Sequence, residues 1–410
     1  MKAVWLLFVS LTFGSTVSAQ DWSQWRGPNR DGVASAVQLP KSWPGQLILE
    51  WKVEVGEGHS SPVIAGEFVY VHTRQGDDEF VTCLSRSDGQ VVWKSAPRPV
   101  PYRMNSAADG HGKGPKSTPV ISEGQLFTVS ITGAVTAWDA TTGKVRWTRG
   151  FSRVFEQTSP LYGTATSPLL NEGRVYVHVG GHDSGALKAL NARTGEDIWS
   201  WNGDGPGYAS PILTNVNGTR QLVTQSQEKV VGLDAADGAL LWEITFKTPW
   251  SQNVVTPVVY QDLLVFSGLQ NKTFAVRLEQ DGDRWNPKVA WEDSRHSMYM
   301  NSPVLSGESL YGMAHQRSGQ FFCLNAATGE LNWVSEGREG ENASIVRAGG
   351  VLFFLTDEAK LIVIEDNSSE YKILATYSLA DSPTWAHLAV QGSQILVKDK
   401  THLASWTWDD

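Results

Sequence analysis

Side chains with amide or carboxylate oxygens are the first candidates for chemistry in this sequence, because Ca²⁺ prefers oxygen ligands. Four of them stand close to the starts of β-prone segments: Asn253, Asn301, Glu341 and Asn342. A calcium site requires several oxygens to converge, and nothing in the sequence shows that these four meet. The Asn-Gly-Asp-Gly run at 202–205 lacks the later acidic ligands of a calcium loop and is typical of a turn. We therefore predict no metal site.

Cysteine and histidine, the other usual carriers of chemistry, are sparse. Cys83 and Cys323 are the only cysteines, and each precedes the Leu of a repeated motif described below. Equivalent positions in non-adjacent repeats lie farther apart than the roughly 7 Å that a disulfide allows between Cα atoms, so we predict two small core residues and no disulfide. His178 and His182 would share one face of a continuous strand, but the two glycines between them favour a bend over a metal site.

Motifs of common catalytic sites are absent. The sequence has no Gly-x-Ser-x-Gly, no Gly-x-x-x-x-Gly-Lys-Ser/Thr and no His-Glu-x-x-His, so no catalytic residue is predicted. The formal net charge of −9 over 410 residues excludes a sequence-independent nucleic-acid binder, which needs a basic face. The unusual feature is tryptophan, with 18 residues, and its spacing suggests why.

The tryptophans close copies of an internal repeat. The copies have the general form of an apolar residue, Asx-Ala-x-Thr/Asp-Gly and a Trp four residues after the Gly, as in WDATTGKVRW at 138–147 and LNAATGELNW at 324–333. A period of roughly 40 to 50 residues built from short strands is the signature of propeller blades. A Trp at the same point of each fourth strand can pack between neighbouring blades, and we predict this docking role for Trp51, Trp93, Trp147, Trp199, Trp242, Trp291 and Trp333.

Each copy opens with Ser or Thr, Pro and an aliphatic residue, as at Ser61-Pro62-Val63. Six such starts and two eroded ones, near Ser344 and Ala386, predict an all-β, eight-bladed β-propeller of four-stranded antiparallel blades. Seven blades are the alternative, because the last two copies are eroded. The strand at 47–55 has no start before it, and we expect it to pair with the last strand, since this closes the ring and removes an exposed sheet edge.

The Asp-Ala-x-Thr-Gly-x-x-x-Trp unit resembles the tryptophan-docking repeat of the pyrroloquinoline-quinone (PQQ)-like β-propellers, from about Leu47 to Asp410. That family holds quinoprotein alcohol dehydrogenases and the non-enzymatic lipoprotein propeller of outer-membrane β-barrel assembly. For the enzymes, the resemblance implies adjacent, disulfide-linked cysteines on the quinone and a Ca²⁺ held by Glu, Asn and Asp. The adjacent cysteines are absent here, so PQQ and Ca²⁺ are implied by resemblance only and no cofactor is predicted.

Residues just before each first strand would rim one mouth of the central channel, which is a concave place for a ligand. The set is polar and aromatic and suits a sugar, a peptide or a small cofactor, although the same groups would also serve to bind backbone and water in a wet channel. Its members are His59, Lys116, Tyr162, Tyr208, Gln252, Asn253, Met300, Asn301, Asn342 and Trp385. The loop 109–116 is interpreted as a connector, with a lid over the mouth as the alternative.

The N-terminus has the pattern of a secretory signal. Lys2, the apolar run 3–13 and Val17-Ser18-Ala19 predict cleavage after Ala19, and the run is shorter than the about 20 residues that span a bilayer. We expect a signal peptide at 1–19, an extended segment at 20–46 and the propeller at 47–410, with the opening residues 21–28 against the outside of the ring. The protein is expected to be an exported, periplasmic or extracellular monomer without a membrane span.

The predicted function is non-catalytic binding or scaffolding in the cell envelope, with an unknown protein partner or a small polar ligand. A PQQ- and Ca²⁺-dependent oxidoreductase and a carbohydrate- or peptide-binding propeller are the alternatives.

Overall fold

Short apolar runs separated by Gly-containing turns favour antiparallel hairpins, and the computed structural model contains such hairpins in every blade. It describes residues 21–282 and 284–409, so the predicted signal peptide lies outside the described residues. Eight sheets, each with four antiparallel blade strands, form an eight-bladed β-propeller. The predicted fold class, an eight-bladed β-propeller, is confirmed, and the seven-bladed alternative does not apply.

The first four blades each contain four strands in chain order from the axis outward. Blade 1 consists of Val63–Ala65, Phe68–Gln75, Asp78–Ser85 and Val91–Lys94, with Arg98–Pro99 added beside its third strand. Blade 2 consists of Val120–Ser122, Gln125–Val129, Val135–Asp139 and Val145–Arg149. Blade 3 consists of Leu169–Asn171, Arg174–Gly181, Ser184–Asn191 and Asp197–Trp201. Blade 4 consists of Ile212–Val216, Thr219–Gln225, Lys229–Asp234 and Leu240–Thr245.

The next three blades repeat this order, and short 3₁₀ helices lie at Ser106–His111, Pro249–Ser251 and Gln316–Ser318. Blade 5 consists of Val258–Tyr260, Leu263–Ser267, Thr273–Asp281 and Arg284–Asp293. Blade 6 consists of Val304–Ser306, Ser309–Ala314, Gln320–Asn325 and Leu331–Val334. Blade 7 consists of Ala343–Ala348, Val351–Thr356, Lys360–Glu365 and Ile373–Ser378, with Val33–Ala34 added beside its first strand.

Blade 8 is built from both ends of the propeller. Ala389–Gln391, Gln394–Lys398 and His402–Thr407 supply its three inner strands, and Ile48–Glu54 supplies the outer one. The outer strand pairs antiparallel with His402–Thr407. This is the ring closure that the sequence predicted, and it leaves the last blade without an unpaired third strand.

The closing tryptophans join each blade to the next in a recurring geometry. The indole N–H of Trp93 donates to the carbonyl of Ala140 at 3.0 Å, and that of Trp147 donates to Ala192 at 2.9 Å. The acceptor is the Ala of the next blade's Asx-Ala-x-Thr-Gly turn. The Trp ring lies on the Gly of the same turn, where a Cβ on Gly143 would approach the Trp93 ring to 2.4 Å. The turn therefore needs Gly for space as well as for its positive φ of 67°.

The remaining docking tryptophans follow this geometry with one exception. The indole N–H groups of Trp51, Trp199, Trp291 and Trp333 also donate to backbone carbonyls of the following blade. Trp242 instead donates to Gln221 Oε1 of its own blade at 2.7 Å, although its ring meets Phe266 of blade 5 edge-on. Blade 5 replaces the short turn with the long hairpin 273–293, so the usual carbonyl is not presented there.

The Ser or Thr hydroxyls of several repeat starts link neighbouring blades around the axis. The backbone N–H of Thr118 donates to Ser167 Oγ, and that of Ser167 donates to Ser210 Oγ, both at 3.0 Å. The backbone N–H of His387 donates to Ser61 Oγ at 2.8 Å and joins blade 8 to blade 1. The hydroxyl thus supplies a partner for a buried backbone group at the start of the neighbouring first strand.

The N-terminal segment departs from the expectation. Residues 21–34 do not lie against the outside of the ring but cross its channel. The carbonyls of Trp22 and Ser23 accept from the N–H groups of Ile64 and Ile121, in blades 1 and 2, at 2.9 Å. The segment ends in the parallel pairing of Val33–Ala34 with the first strand of blade 7.

Two buried arginines fix this segment inside the ring. Arg30 donates to the carbonyls of Ser167 and Pro168 in blade 3, and Arg26 donates to Pro303 in blade 6. Burial lowers the pKa of Arg26 to about 10 and that of Arg30 to about 9, so both side chains stay charged at pH 7. The strand starts present carbonyls toward the axis, and the guanidinium groups supply the donors that these carbonyls need.

Candidate functional site: the central cavity

A cavity of about 450 Å³ lies at the mouth of the central channel at which the first strands of the blades begin. This volume falls within the range of roughly 300–1,000 Å³ that is usual for small-molecule sites. Eight of the ten predicted rim residues line it together: His59, Lys116, Tyr162, Tyr208, Gln252, Met300, Asn342 and Trp385.

The other two predicted rim residues, Asn253 and Asn301, do not line the cavity. The Asn253 amide is buried and donates to the carbonyls of Ser226 and Phe246 at 2.9 Å. The Asn301 amide donates to the carbonyl of Met313 at 2.8 Å and accepts from the N–H of the same residue. Both amides therefore bind backbone groups. The prediction that Asn253 and Asn301 belong to the ligand-binding rim is corrected.

The lining does not fit a calcium shell. Of the four oxygen-bearing candidates only Asn342 reaches the cavity, and Glu341 is exposed outside it. None of the described lining residues is Asp or Glu. Across residues 21–282 and 284–409, no group of three or more His, Cys, Asp and Glu could hold a metal ion. A bare divalent cation here would lack anionic ligands and would face Lys116.

Trp25 forms part of the cavity lining, although sequence reasoning did not assign it. Its indole N–H donates to Thr256 Oγ1 at 2.9 Å, and its ring meets His387 edge-on at 5.3 Å. Burial, and then the Arg26 charge, lower the pKa of His387 to about 3, so this partner is neutral at pH 7. Because Trp25 belongs to the segment that crosses the channel, it serves as the floor of the cavity. The signal that could have found it is a Trp-rich run outside the repeat.

The loop after blade 1 forms a wall of the cavity and is more than a connector. Ala107, Ala108 and His111 of its 3₁₀ helix line the cavity, and Asn105 caps that helix by accepting from the N–H of Ala107. The carbonyl of Pro115 accepts from the N–H of His59 at 2.8 Å, which brings the two predicted rim residues His59 and Lys116 to the same side.

Trp250 is a second lining residue that sequence reasoning missed. Its side chain is 65% exposed, and its backbone is left-handed, with φ 54° and ψ 29°. A bulky residue in this conformation is uncommon and strained. This conformation places a large aromatic surface at the rim of the cavity.

The cavity wall is positively charged at neutral pH. Lys116 Nζ donates to the carbonyl of Tyr162 at 2.7 Å, and burial lowers the pKa of Lys116 to about 8. Burial also lowers the pKa of His59 and His111, so both imidazoles are neutral at pH 7 while Lys116 keeps its charge. Among the described residues, no carboxylate forms a salt bridge with Lys116.

Two amides of the wall have unused oxygen atoms. The buried oxygens Gln252 Oε1 and Asn342 Oδ1 have no hydrogen-bond partner, and neither has His59 Nε2. All three residues line the cavity. A ligand with hydroxyl groups would supply the missing partners.

The other candidates lie elsewhere. His178 Nε2 contacts the carbonyl of Asp204 at 3.2 Å, and burial lowers the pKa of His178 to about 4. His182 packs edge-on against Tyr208. Cys83 and Cys323 are buried and free.

Trp-docked blades in an eightfold ring around an axial cavity define a PQQ-like β-propeller. The chain matches the PQQ_2 family model, described as "Outer membrane protein assembly factor BamB", over residues 33–95 and 77–335, and it belongs to this family.

Curated relatives include assembly factors and enzymes. Outer membrane protein assembly factor BamB of Shewanella oneidensis is 23% identical over 288 residues, which cover 67% of this chain and 71% of that protein. Methanol dehydrogenase [cytochrome c] subunit 1 of Paracoccus denitrificans is 22% identical over 365 residues, which cover 79% of this chain and 54% of that protein. The chain therefore spans about half the length of this dehydrogenase subunit.

Solved structures share the fold. BamB from Moraxella catarrhalis superposes with a TM-score of 0.63 at 14% identity and covers 88% of this chain and 99% of that one. Quinohemoprotein alcohol dehydrogenase from Comamonas testosteroni gives 0.67 at 13% identity and covers 95% and 80%. In the described part of the chain, no helix combines the length and apolar character needed to cross a membrane.

Proposed function

We propose that this protein is an exported, non-catalytic binding protein of the cell envelope whose ligand or partner group enters the central cavity. The observation that carries the proposal is the composition of the cavity. Its described lining combines aromatic rings, amides, two imidazoles and one lysine with no carboxylate, and its floor is the protein's own Trp25. Such a lining can hold and orient a ligand, but it offers no carboxylate to bind Ca²⁺.

The proposed envelope role is supported by the relatives. The matching family model and several relatives carry the name of an outer membrane protein assembly factor. A scaffold of this kind needs rigid surfaces, and the docked tryptophans and the hydroxyl links between blades supply that rigidity.

A PQQ-dependent oxidoreductase is the second candidate, because the relatives include methanol and alcohol dehydrogenases. The residues present argue against it. Cys83 and Cys323 stand in blades 1 and 6 and do not form a pair, and the cavity lining lacks the carboxylates of a calcium shell. We therefore derive no reaction step through PQQ.

A dye-linked oxidation assay tests the proposal. The purified protein is incubated with PQQ and Ca²⁺, and reduction of an electron-accepting dye is followed with alcohols and sugars as substrates. We expect the dye to be reduced no faster than by PQQ and Ca²⁺ without the protein. Turnover that requires the protein and disappears in Asn342→Ala, but not in the exposed control Asn332→Ala, would contradict a non-catalytic role.

A further inference from the structure

The positive charge along the propeller axis is the first indication of the ligand's chemistry. Lys116 lines the cavity, and Arg26 and Arg30 lie in the segment whose Trp25 forms the floor. The buried guanidinium nitrogens Arg26 Nε, Arg26 Nη1 and Arg30 Nε have no hydrogen-bond partner. Charges in a concave, weakly solvated site act over a longer range than charges on an open surface. An anionic group in the cavity would thus be favoured over a cation or a neutral group.

The unused amide oxygens are the second indication. Gln252 Oε1, Asn342 Oδ1 and His59 Nε2 are buried and unpaired at the cavity wall. The side chains of Gln252 and Asn342 are 8% and 5% exposed, so bulk water is largely excluded from them. Unpaired buried acceptors are unfavourable, and a ligand with several O–H groups would pair them.

The aromatic walls are the third indication. Trp250 stands exposed at the rim and Trp385 lies inside, where His111 packs edge-on against it at 4.5 Å. Tyr162 and Tyr208 lie on the other side, 6.1 Å apart. Flat aromatic faces pack against the apolar C–H faces of a saturated ring. The Tyr208 hydroxyl accepts from the backbone N–H of Tyr162 at 3.3 Å, which fixes this ring in the wall.

We propose that the cavity binds a uronic acid, a sugar ring that carries a carboxylate. The carboxylate pairs with the Lys116 ammonium, the ring hydroxyls pair with Gln252 and Asn342, and the C–H faces of the ring pack on the aromatic walls. This inference rests on the proposed binding function and adds the class of ligand to it.

Matched sugars test each part of the proposal. Binding of D-glucuronate, D-galacturonate, D-glucose, D-galactose and benzoate to the full chain is measured at pH 7 by isothermal titration calorimetry. We expect each uronate that binds to do so at least tenfold more tightly than the neutral sugar of the same configuration, because a charge-assisted hydrogen bond in a buried site is stronger than a neutral one. Benzoate, which has the charge and a flat ring but no hydroxyl groups, should bind more weakly than the uronate.

Lysine variants assign the preference to its residue. In Lys116→Met the preference for uronate over neutral sugar should disappear, whereas Lys113→Met, an exposed lysine of the same loop, should keep it. Circular dichroism and the unfolding midpoint verify that both variants fold.

Several results would overturn the proposal. They are equal binding of uronate and neutral sugar, a preference that survives in Lys116→Met, benzoate binding as tightly as the uronate, or binding of none of the sugars. A negative result in the sugar titrations does not change the outcome of the dye-linked assay, which tests the non-catalytic role. Protein-dependent turnover in the dye-linked assay would reveal an enzyme whether or not uronates bind.

Discussion

Replacing Lys116 by methionine should stabilise the protein, because it removes a half-buried ammonium group and keeps a side chain of similar length. Burial lowers the pKa of Lys116 from 10.5 to about 8. At pH 7 this corresponds to a penalty of about 3 kcal/mol for keeping the charge in the folded state. Loss of the charge-assisted hydrogen bond to the Tyr162 carbonyl opposes this by about 2 kcal/mol. We therefore expect Lys116→Met to raise the free energy of unfolding by about 1 kcal/mol at pH 7.

The pH dependence of this gain follows from the direction of the pKa shift. Because the folded pKa of Lys116 is the lower one, the unfolded chain binds more protons between about pH 8 and 10.5, and the wild type gains stability as pH rises through that window. The advantage of the variant is thus full at pH 7 and fades above pH 8. His59 and His111 face Lys116, and burial lowers their pKa values, so they are already neutral. Lys398, whose pKa is lowered to about 8, is present in both proteins and cancels in the difference.

Urea unfolding followed by circular dichroism at pH 7, 8, 9 and 10 measures this difference. Lys113→Met is the control, since Lys113 is exposed in the same loop and its replacement should change stability by less than about 0.5 kcal/mol. A Lys116→Met protein that is less stable than wild type at pH 7, or a difference that does not vary with pH, would refute the reasoning. Lys116 would then be a structural residue and not a charge kept for a ligand.

Two further predictions concern the blades. Gly143→Ala places a Cβ 2.4 Å from the Trp93 ring and should lower the free energy of unfolding by more than about 2 kcal/mol. The control Gly124→Ala has a similar positive φ but no atom within 4 Å of the added Cβ, and it should lower that free energy by only about 1 kcal/mol. Equal losses of the two variants in urea unfolding would contradict the docking geometry. Burial raises the pKa of Cys83 to about 12 and also raises that of Cys323, so both thiols should react with a chromogenic disulfide reagent only after unfolding, and rapid labelling of the native protein would contradict their burial.

The blades were predictable because their determinants recur. Each repeat shows an apolar strand, a Gly at fixed spacing and a Trp in the sequence. In the structure the Trp of one blade donates one hydrogen bond to the turn of the next blade, as Trp93 does to Ala140. Trp242 shows the limit of this inference. Its own blade has the motif, but its hydrogen bond depends on a turn that the next blade lacks.

The site was only partly predictable. The strand starts point to the mouth, which is why eight of the rim residues come together. Asn253 stands three residues before Thr256 and Asn301 one residue before Ser302, whereas rim residues such as Lys116 stand two residues before their start. In a strand-like segment this odd shift turns a side chain to the opposite face, and both amides bind neighbouring backbone instead. The segment 21–34 has no periodic pattern, and its place in the channel depends on arginine contacts with carbonyls of distant blades, such as that of Arg30 with Pro168.

The central claim is that the cavity opens at one mouth of the ring, is closed at its other end by Trp25, and binds a ligand. A crystal structure of the protein grown with D-glucuronate or D-galacturonate tests this most directly. It should show the sugar above the Trp25 ring with its carboxylate at Lys116, and Arg26 and Arg30 bonded to the strand starts. An open channel with residues 21–34 outside the ring, or sugar bound only outside the cavity, would contradict it.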